Sequence, residues 1–451
     1  MNIIIVGCDK VGSTLAEQLD ADGNNVTVID IDSDKVKDVA NRLDIMGVVG
    51  NGATHTTQLE AGIKNADLLI AVTGSDELNL LCCIVAKREK GCDTIVRLEN
   101  PEYNGEAGYI KNELGLAMVI NPELAAAEEI ARILRFPTAL SIDTFAGGRV
   151  ELLKFKLPDE SALSGMSVKY AAAKLGTEVL FCTVERGDEA YIPNGDFVFE
   201  RRDIISIIAS PKAAISFFKK IGVHAEAVKD VLIAGGGKIS EYLCKTLANA
   251  NMNIKIVEKD RHRCEELANS LIKVTVVSGD PRNKDIMHEE GISRADAFIA
   301  LTGDDEENIL LSLFAKREGA RKLITKMNRV DYDDVIRPLE LDSTVYPKSI
   351  TTEQIVRYAR SMKGKVGSKF ETMYTVIKGH VEAAEFKIYE DSAITGRPLS
   401  RLALKKGVLV AAILRDGAVI IPRGNDTIEI GDAVVVVYES MPLHDITDIL
   451  R

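Results

Sequence analysis

Tryptophan is absent from this 451-residue chain, and aromatic residues make up only 5% of it. Lysine and arginine are outnumbered by aspartate and glutamate, giving a formal charge of -12, so no basic stripe suited to nucleic acid is on offer. That charge fits ordinary solubility. No segment approaches the ~18 consecutive apolar residues of a membrane helix, and any membrane role is therefore expected to run through a partner. The seven cysteines (8, 82, 83, 92, 182, 244 and 264) are odd in number and form no C-x-x-C pair. A disulfide framework or a metal site is not expected, and a reducing cytosol fits. Met1 to Val6 read as a strand and lack the basic and long apolar regions of a signal peptide, so a cytoplasmic location is expected.

What the chain has instead is Val, Ile, Leu, Ala and Gly, with 46% hydrophobic residues. This mix suits parallel sheets covered by helices on both faces. Length alone suggests about three domains, but an internal repeat sets the organisation. Ala66-Asp67-Leu68-Leu69-Ile70-Ala71-Val72-Thr73-Gly74 returns as Ala295-Asp296-Ala297-Phe298-Ile299-Ala300-Leu301-Thr302-Gly303, and Ala86-Lys87-Arg88-Glu89 as Ala315-Lys316-Arg317-Glu318. The offset is about 229 residues, so two units span the chain.

Each unit divides again. Short apolar strands (Asn2 to Val6, Val26 to Ile29, Leu68 to Val72, Thr94 to Leu98) alternate with helical segments, as do Val231 to Ala234, Ile254 to Val257 and Ala297 to Leu301. This pattern predicts an α/β fold with two tandem Rossmann-like, doubly wound parallel-sheet lobes. The tails match each other: Phe155-Lys156 and Phe386-Lys387 sit in alternating strands, followed by Ile192-Pro193 and Ile421-Pro422. They read as small α+β lobes. The expected order is a nucleotide lobe over 1–135, a small lobe over 136–225, a second nucleotide lobe over 226–362 and a second small lobe over 363–451. Proline-led helices are expected from Asn121 to Arg135 and from Tyr346 to Arg360. In the first, Leu124, Ala127, Ile130, Ala131 and Leu134 share one face. Such a helix packs either on its own domain or, as a crossover, on a neighbouring unit.

Gly7-Cys8-Asp9-Lys10-Val11-Gly12 follows the first strand and opens a helix. In a G-x-G-x-x-G turn the first glycine allows the tight turn, the second lets backbone approach a pyrophosphate, and the third allows close helix–strand packing. The helix N-terminus offers free N–H groups to the phosphates. Asp9 stands at the second glycine, where a carboxylate repels phosphate unless it turns outward or shares a cation. The second unit has Gly235-Gly236-Gly237-Lys238-Ile239-Ser240, with Ser240 in place of the packing glycine. Asp30 and Glu258 end the second strands, where an acid accepts hydrogen bonds from ribose hydroxyls and favours NAD(H); the alternative is that each caps the next helix. Thr73 and Thr302 end later strands beside the same crevice. Arg97 and Lys326 either neutralise phosphate or make surface ion pairs.

Hydride-transfer chemistry needs a positioned acid or base. The six histidines (55, 224, 262, 288, 380 and 444) form no cluster. His55, in a Gly/Thr-rich loop, is the nearest to a candidate, and a solvated loop histidine is the plainer reading. No catalytic residue and no metal ligand is assigned; an NAD-dependent oxidoreductase is the alternative function.

With Gly50-Asn51-Gly52-Ala53-Thr54, Ala71-Val72-Thr73-Gly74-Ser75-Asp76-Glu77 and Arg97-Leu98-Glu99-Asn100-Pro101-Glu102-Tyr103 added to these motifs, the chain resembles, across essentially its full length, the TrkA family of regulatory subunits of Trk potassium-uptake systems, built from tandem RCK/KTN lobes. The resemblance implies a non-enzymatic peripheral protein on the inner face of the cell membrane. It implies a homo-oligomeric ring beneath an integral-membrane potassium transporter subunit, without nucleic acid or direct membrane insertion. It implies NAD(H), ATP or ADP contacted by Gly7, Cys8, Asp9, Lys10, Val11, Asp30, Thr73, Gly74 and Arg97. The second-lobe equivalents are Gly235, Gly236, Gly237, Lys238, Ile239, Glu258, Asp280, Thr302, Gly303 and Lys326. Asn51 stands where many members carry Asp, as Asp280 does in the second lobe.

Overall fold

The computed structural model describes every residue except 90, 138, 147–148, 176–178, 188, 223–227, 329–335, 340, 363–367, 378–379, 440, 442 and 444. Two of the six histidines, His224 and His444, lie outside that set, and the expected breaks at 225/226 and 362/363 touch it.

The first lobe runs β1 (Asn2–Val6), α1 (Lys10–Ala21), β2 (Asn25–Asp30), α2 (Ser33–Leu43), β3 (Met46–Val49) and α3 (His55–Glu60). It continues through β4 (Leu68–Ala71), α4 (Asp76–Ala86), β5 (Asp93–Arg97), α5 (Pro101–Asn104), α6 (Ala107–Glu113), β6 (Met118–Ile120) and α7 (Pro122–Arg135). Its strands are parallel in the order β3-β2-β1-β4-β5-β6. Ile3 to Val6 and Leu68 to Ala71 are buried along their whole length, as strands covered on both faces must be. The order in which strands are added reverses between β1 and β4, and in open α/β sheets ligands bind at the carboxyl ends of strands at such a point.

The small lobe after it comprises β7 (Ala139–Phe145), β8 (Val150–Lys156), α8 (Val168–Leu175), β9 (Val179–Arg186), β10 (Glu189–Tyr191), β11 (Ile204–Ala209) and α9 (Pro211–Lys220). Its strands form an antiparallel sheet in the order β10-β9-β11-β8-β7. Phe155, Phe181, Phe217 and Phe218 stack edge to face in its core at centroid separations of 5.1–5.9 Å.

The second half repeats this plan. Its parallel lobe comprises β12 (Asp230–Ala234), α10 (Lys238–Thr246), β13 (Asn253–Glu258), α11 (Arg261–Ser270), β14 (Val274–Ser278), α12 (Lys284–Glu289), β15 (Ala297–Ala300), α13 (Asp305–Glu318), β16 (Lys322–Lys326) and β17 (Ser343–Val345). The strand order is β14-β13-β12-β15-β16-β17. The helix Pro347–Met362 leads to an antiparallel sheet of β18 (Ser368–Ile377), β19 (Val381–Ile388), β20 (Val408–Arg415), β21 (Ala418–Ile420) and β22 (Ala433–Glu439), ordered β18-β19-β22-β20-β21.

Two compact units emerge, and each is assembled from both halves of the chain: 1–131 with 229–359, and 132–228 with 360–451. Within the unit of parallel lobes, the Asn121 amide donates to the Tyr242 hydroxyl at 3.0 Å, and Tyr358 donates to the Asp93 carboxylate at 2.8 Å. The crossover reading of the proline-led helices therefore holds at both places. The α7 stripe is buried at Ala127, Ile130 and Leu134, and burial extends to Ala126 and Ile133. Within the other unit, Phe145, Leu152, Cys182 and Ile208 of one small lobe share a core with Ala383, Ala412, Val435 and Val437 of the other.

Candidate nucleotide sites

Each glycine turn sits where β1 or β12 hands over to its helix. Gly7 has φ +108° and Gly235 φ +101°, and a Cβ would lie 3.0 Å and 2.9 Å from the carbonyl oxygens of Val72 and Leu301. Only glycine accommodates both the dihedral and the approach. A Cβ on Gly12 would fall 1.8 Å from the Gly7 carbonyl oxygen. Ser240 occupies that place in the second lobe because its hydroxyl donates to the Gly235 carbonyl at 2.6 Å, replacing tight packing with a hydrogen bond.

The acids that end β2 and β13 face these turns. Asp30 accepts from the Cys8 N–H at 2.7 Å and the Asp32 N–H at 3.0 Å, and Glu258 accepts from the Gly236 N–H at 2.6 Å and the Asp260 N–H at 2.8 Å. The capping alternative for these acids fails, because Asp32 and Asp260 are the residues that cap α2 and α11. Cys8 is buried beneath the turn, and burial with the nearby Asp30 charge pushes its thiol up to about 12, so it contributes backbone rather than thiolate. Val11 and Ile239 are buried against the sheet, and Lys10 and Lys238 are solvent-facing.

Asn51 and Asp280 lie in the loops that follow β3 and β14. Those loops are tied to the acids, since the Gly50 and Gly279 N–H groups donate to the backbone carbonyls of Asp30 and Glu258, each at 2.9 Å. Asn51 accepts from the Ala53 N–H at 3.0 Å. Asp280 holds Arg282 through both carboxylate oxygens, which draws its carboxyl down to about 2.

The opposite wall is built on a buried amide that sequence reasoning missed. Asn79 accepts from the Thr73 N–H and hydroxyl at 2.8 and 2.7 Å and donates to the carbonyls of Thr73 and Arg97, each at 3.1 Å. Asn308 makes the same four bonds to Thr302 and Lys326. Each lies six residues past the threonine in the duplicated segment, so the repeat carried the signal. Arg97 and Lys326 donate to the carbonyls of Thr73 and Thr302 at 2.9 and 2.8 Å. They are crevice side chains rather than surface ion pairs, although Arg97 also meets Glu99 at 3.1 Å. Burial pulls the Lys326 ammonium below its ordinary pKa. Gly74 and Gly303 have nothing within 4 Å of a would-be Cβ and leave the crevice mouth open. His55 is exposed and lies 3.3 Å from Glu89. Among the described residues, no group of three or more His, Cys, Asp or Glu is placed to hold a metal.

The two crevices meet. Lys238, at the second turn, lies 3.6 Å from Glu99, and Tyr242 donates to the Glu99 carbonyl at 3.4 Å.

Two acid-facing glycine turns on duplicated doubly wound sheets, each followed by a small antiparallel lobe, define a class of tandem dinucleotide-fold proteins. The TrkA-N domain model matches residues 3–122 and 231–347, and the TrkA-C domain model matches 152–222 and 383–451. The Trk system potassium uptake protein TrkA homolog of Archaeoglobus fulgidus is 32% identical over 452 residues, covering 100% of both chains. The Trk system potassium uptake protein TrkA of Halomonas elongata is 32% identical over 97% of this chain and 95% of its own. Among solved structures, the GsuK RCK domain superposes with a TM-score of 0.64 at 17% identity, over 97% of this chain and 92% of that one. The GsuK channel bound to NAD gives 0.64 at 16% identity, over 97% and 77%. The chain belongs to the TrkA family of Trk-system potassium uptake proteins.

Proposed function

We propose that this chain is a nucleotide-responsive regulatory subunit of a membrane potassium-uptake system, acting without catalysis from the cytoplasmic face as a homo-oligomeric ring. The observation that carries the nucleotide reading is the carboxylate held on the N–H of each glycine turn, where a ribose and a pyrophosphate would lie side by side. The family relation and a neighbour described as a GsuK channel bound to NAD support the same reading. The ligand is NAD(H), with ADP or ATP as the competing class. In the second lobe Gly235, Gly236, Gly237, Lys238 and Ile239 would cradle the pyrophosphate and Glu258 the ribose, with Asp280, Thr302, Gly303 and Lys326 around the crevice. In the first lobe Gly7, Cys8, Lys10, Val11, Asp30, Asn51, Thr73, Gly74 and Arg97 take these roles. In this reading the transporter is a separate membrane-embedded partner; among the described residues of this chain no helix is long and apolar enough to cross a membrane.

A ligand shifts such a ring only through its different affinities for two conformations, typically about 1–3 kcal/mol per coupled site. The test is calorimetric titration of the full chain with NADH, NAD, ADP and ATP, repeated on Asp30→Ala and Glu258→Ala. Loss of one binding event in each variant supports two working sites. Absence of binding in the unmodified chain would leave the duplicated lobes as a scaffold only.

A further inference from the structure

The two turns share a backbone conformation, but only the first carries a carboxylate. Asp9 has φ -65° and ψ 176°, and Gly237 has φ -67° and ψ -174°. No left-handed dihedral calls for glycine there, and a Cβ on Gly237 would meet nothing within 4 Å. In the first lobe that open volume above the turn belongs to a carboxylate. As N-cap of α1, Asp9 makes no side-chain bond to the helix N–H groups. Its carboxylate goes instead to the Lys35 ammonium at 2.5 Å, with both side chains about half exposed (54% and 47%). Asp9, followed by Asp30 and Asp32, holds that ammonium in its charged form.

Lys35 corresponds to Arg263 in the second lobe, and the two have different duties. Arg263 is tied to the Gly236 carbonyl at 2.8 Å, to Glu241 at 2.7 Å and to Glu266 at 2.9 Å, bracing α11 against α10. In the first lobe Arg42 performs that bracing, donating to Ser13 at 2.6 Å and Glu17 at 3.1 Å. Lys35 is thereby left beside the turn with Asp9 as its one ion-pair partner among the described residues.

We infer that Lys35 adds a phosphate-binding cation to the backbone cradle of the first lobe and that Asp9 is its stored counterion, so that a nucleoside diphosphate or dinucleotide binds there by taking the ammonium from Asp9. This rests on the reading of both lobes as nucleotide sites. The second lobe needs no such exchange. One chain therefore carries a tighter and a weaker site for the same ligand class, filled in that order.

The experiment is two-site calorimetry on the full chain with ADP and with NADH, at low and high salt. The event lost in Asp30→Ala is assigned to the first lobe. Asp9→Asn keeps the side-chain volume and removes the charge. It is expected to tighten the first-lobe event on the order of tenfold, with a steeper salt dependence. Lys35→Ala is expected to weaken the first-lobe event, and to abolish the gain when combined with Asp9→Asn. Both side chains are half exposed, so neither change threatens the fold, and an unaltered second-lobe event reports that directly. First-lobe affinity within twofold of the parent in Asp9→Asn, or indifference to Lys35→Ala, overturns the inference while leaving two nucleotide sites in place. No binding at either lobe overturns the functional reading as well.

Discussion

A single amide side chain, Asn79 in the first lobe and Asn308 in the second, satisfies both the N–H and the carbonyl of the threonine that walls each crevice. Both amides are fully buried. Asn308→Ala strands several groups in a dry environment and should cost about 2–3 kcal/mol, read as a lower urea midpoint with an unchanged slope. Gly235→Ala should cost about 1–3 kcal/mol in the same assay, since its φ of +101° and the Leu301 carbonyl both oppose a side chain. At this scale the sequence was readable wherever a motif has a known spacing: the turns, the two acids and the paired threonines all lie on the crevice. Asn79 was not read, because an Asn near the start of a helix resembles a solvated one until its partners are placed. Lys35 was missed for a similar reason. Nothing in the spelling of α2 says that its ammonium folds back 26 positions to Asp9.

Among the elements, the strands legible from composition were the buried ones, with ends within a residue or so of expectation. The edge strands β3 and β6 were not read. Met46-Gly47-Val48-Val49 has a glycine and three exposed positions, and Met118–Ile120 is only three residues long, so neither shows strand periodicity. The proline-led helices were legible from the proline and the apolar stripe, but their crossing to the other lobe rests on partners far away in sequence. Glu123, in the first turn of α7, illustrates the cost of that crossing. A helix N-terminus favours its charge, yet burial first and then Glu99 push its carboxyl above the usual range, against the pull of Lys238 and Arg97. The folded state thus keeps a proton that the unfolded chain releases, and stability falls as pH rises from about 4.5 through the raised value of the folded state. Glu123→Gln should raise the melting temperature at pH 7.5 more than at pH 5. An equal change at both values would mean that the carboxylate is already neutralised by its lysine and arginine neighbours.

For the whole molecule, the repeat gave the four-lobe order and the fold class, while the pairing of lobes across the halves was invisible to it. Like lobes associate with like, through Asn121–Tyr242 and Tyr358–Asp93 in one unit and a shared apolar core in the other. Two separately encoded fragments, 1–228 and 229–451, should therefore copurify in a one-to-one complex when coexpressed. Two independent monomers on size exclusion would contradict the shared units.

The interleaved chain path also bears on how the protein is made. The first parallel lobe is complete as a sequence at residue 131, but its unit closes only when residue 359 has been added. At ribosomal speeds of ~5–20 residues per second, that is a wait of roughly ten to fifty seconds. Throughout it the nascent lobe presents the face that Tyr242 and Tyr358 will later cover, so this stretch of synthesis is the interval when a chaperone has most to shield.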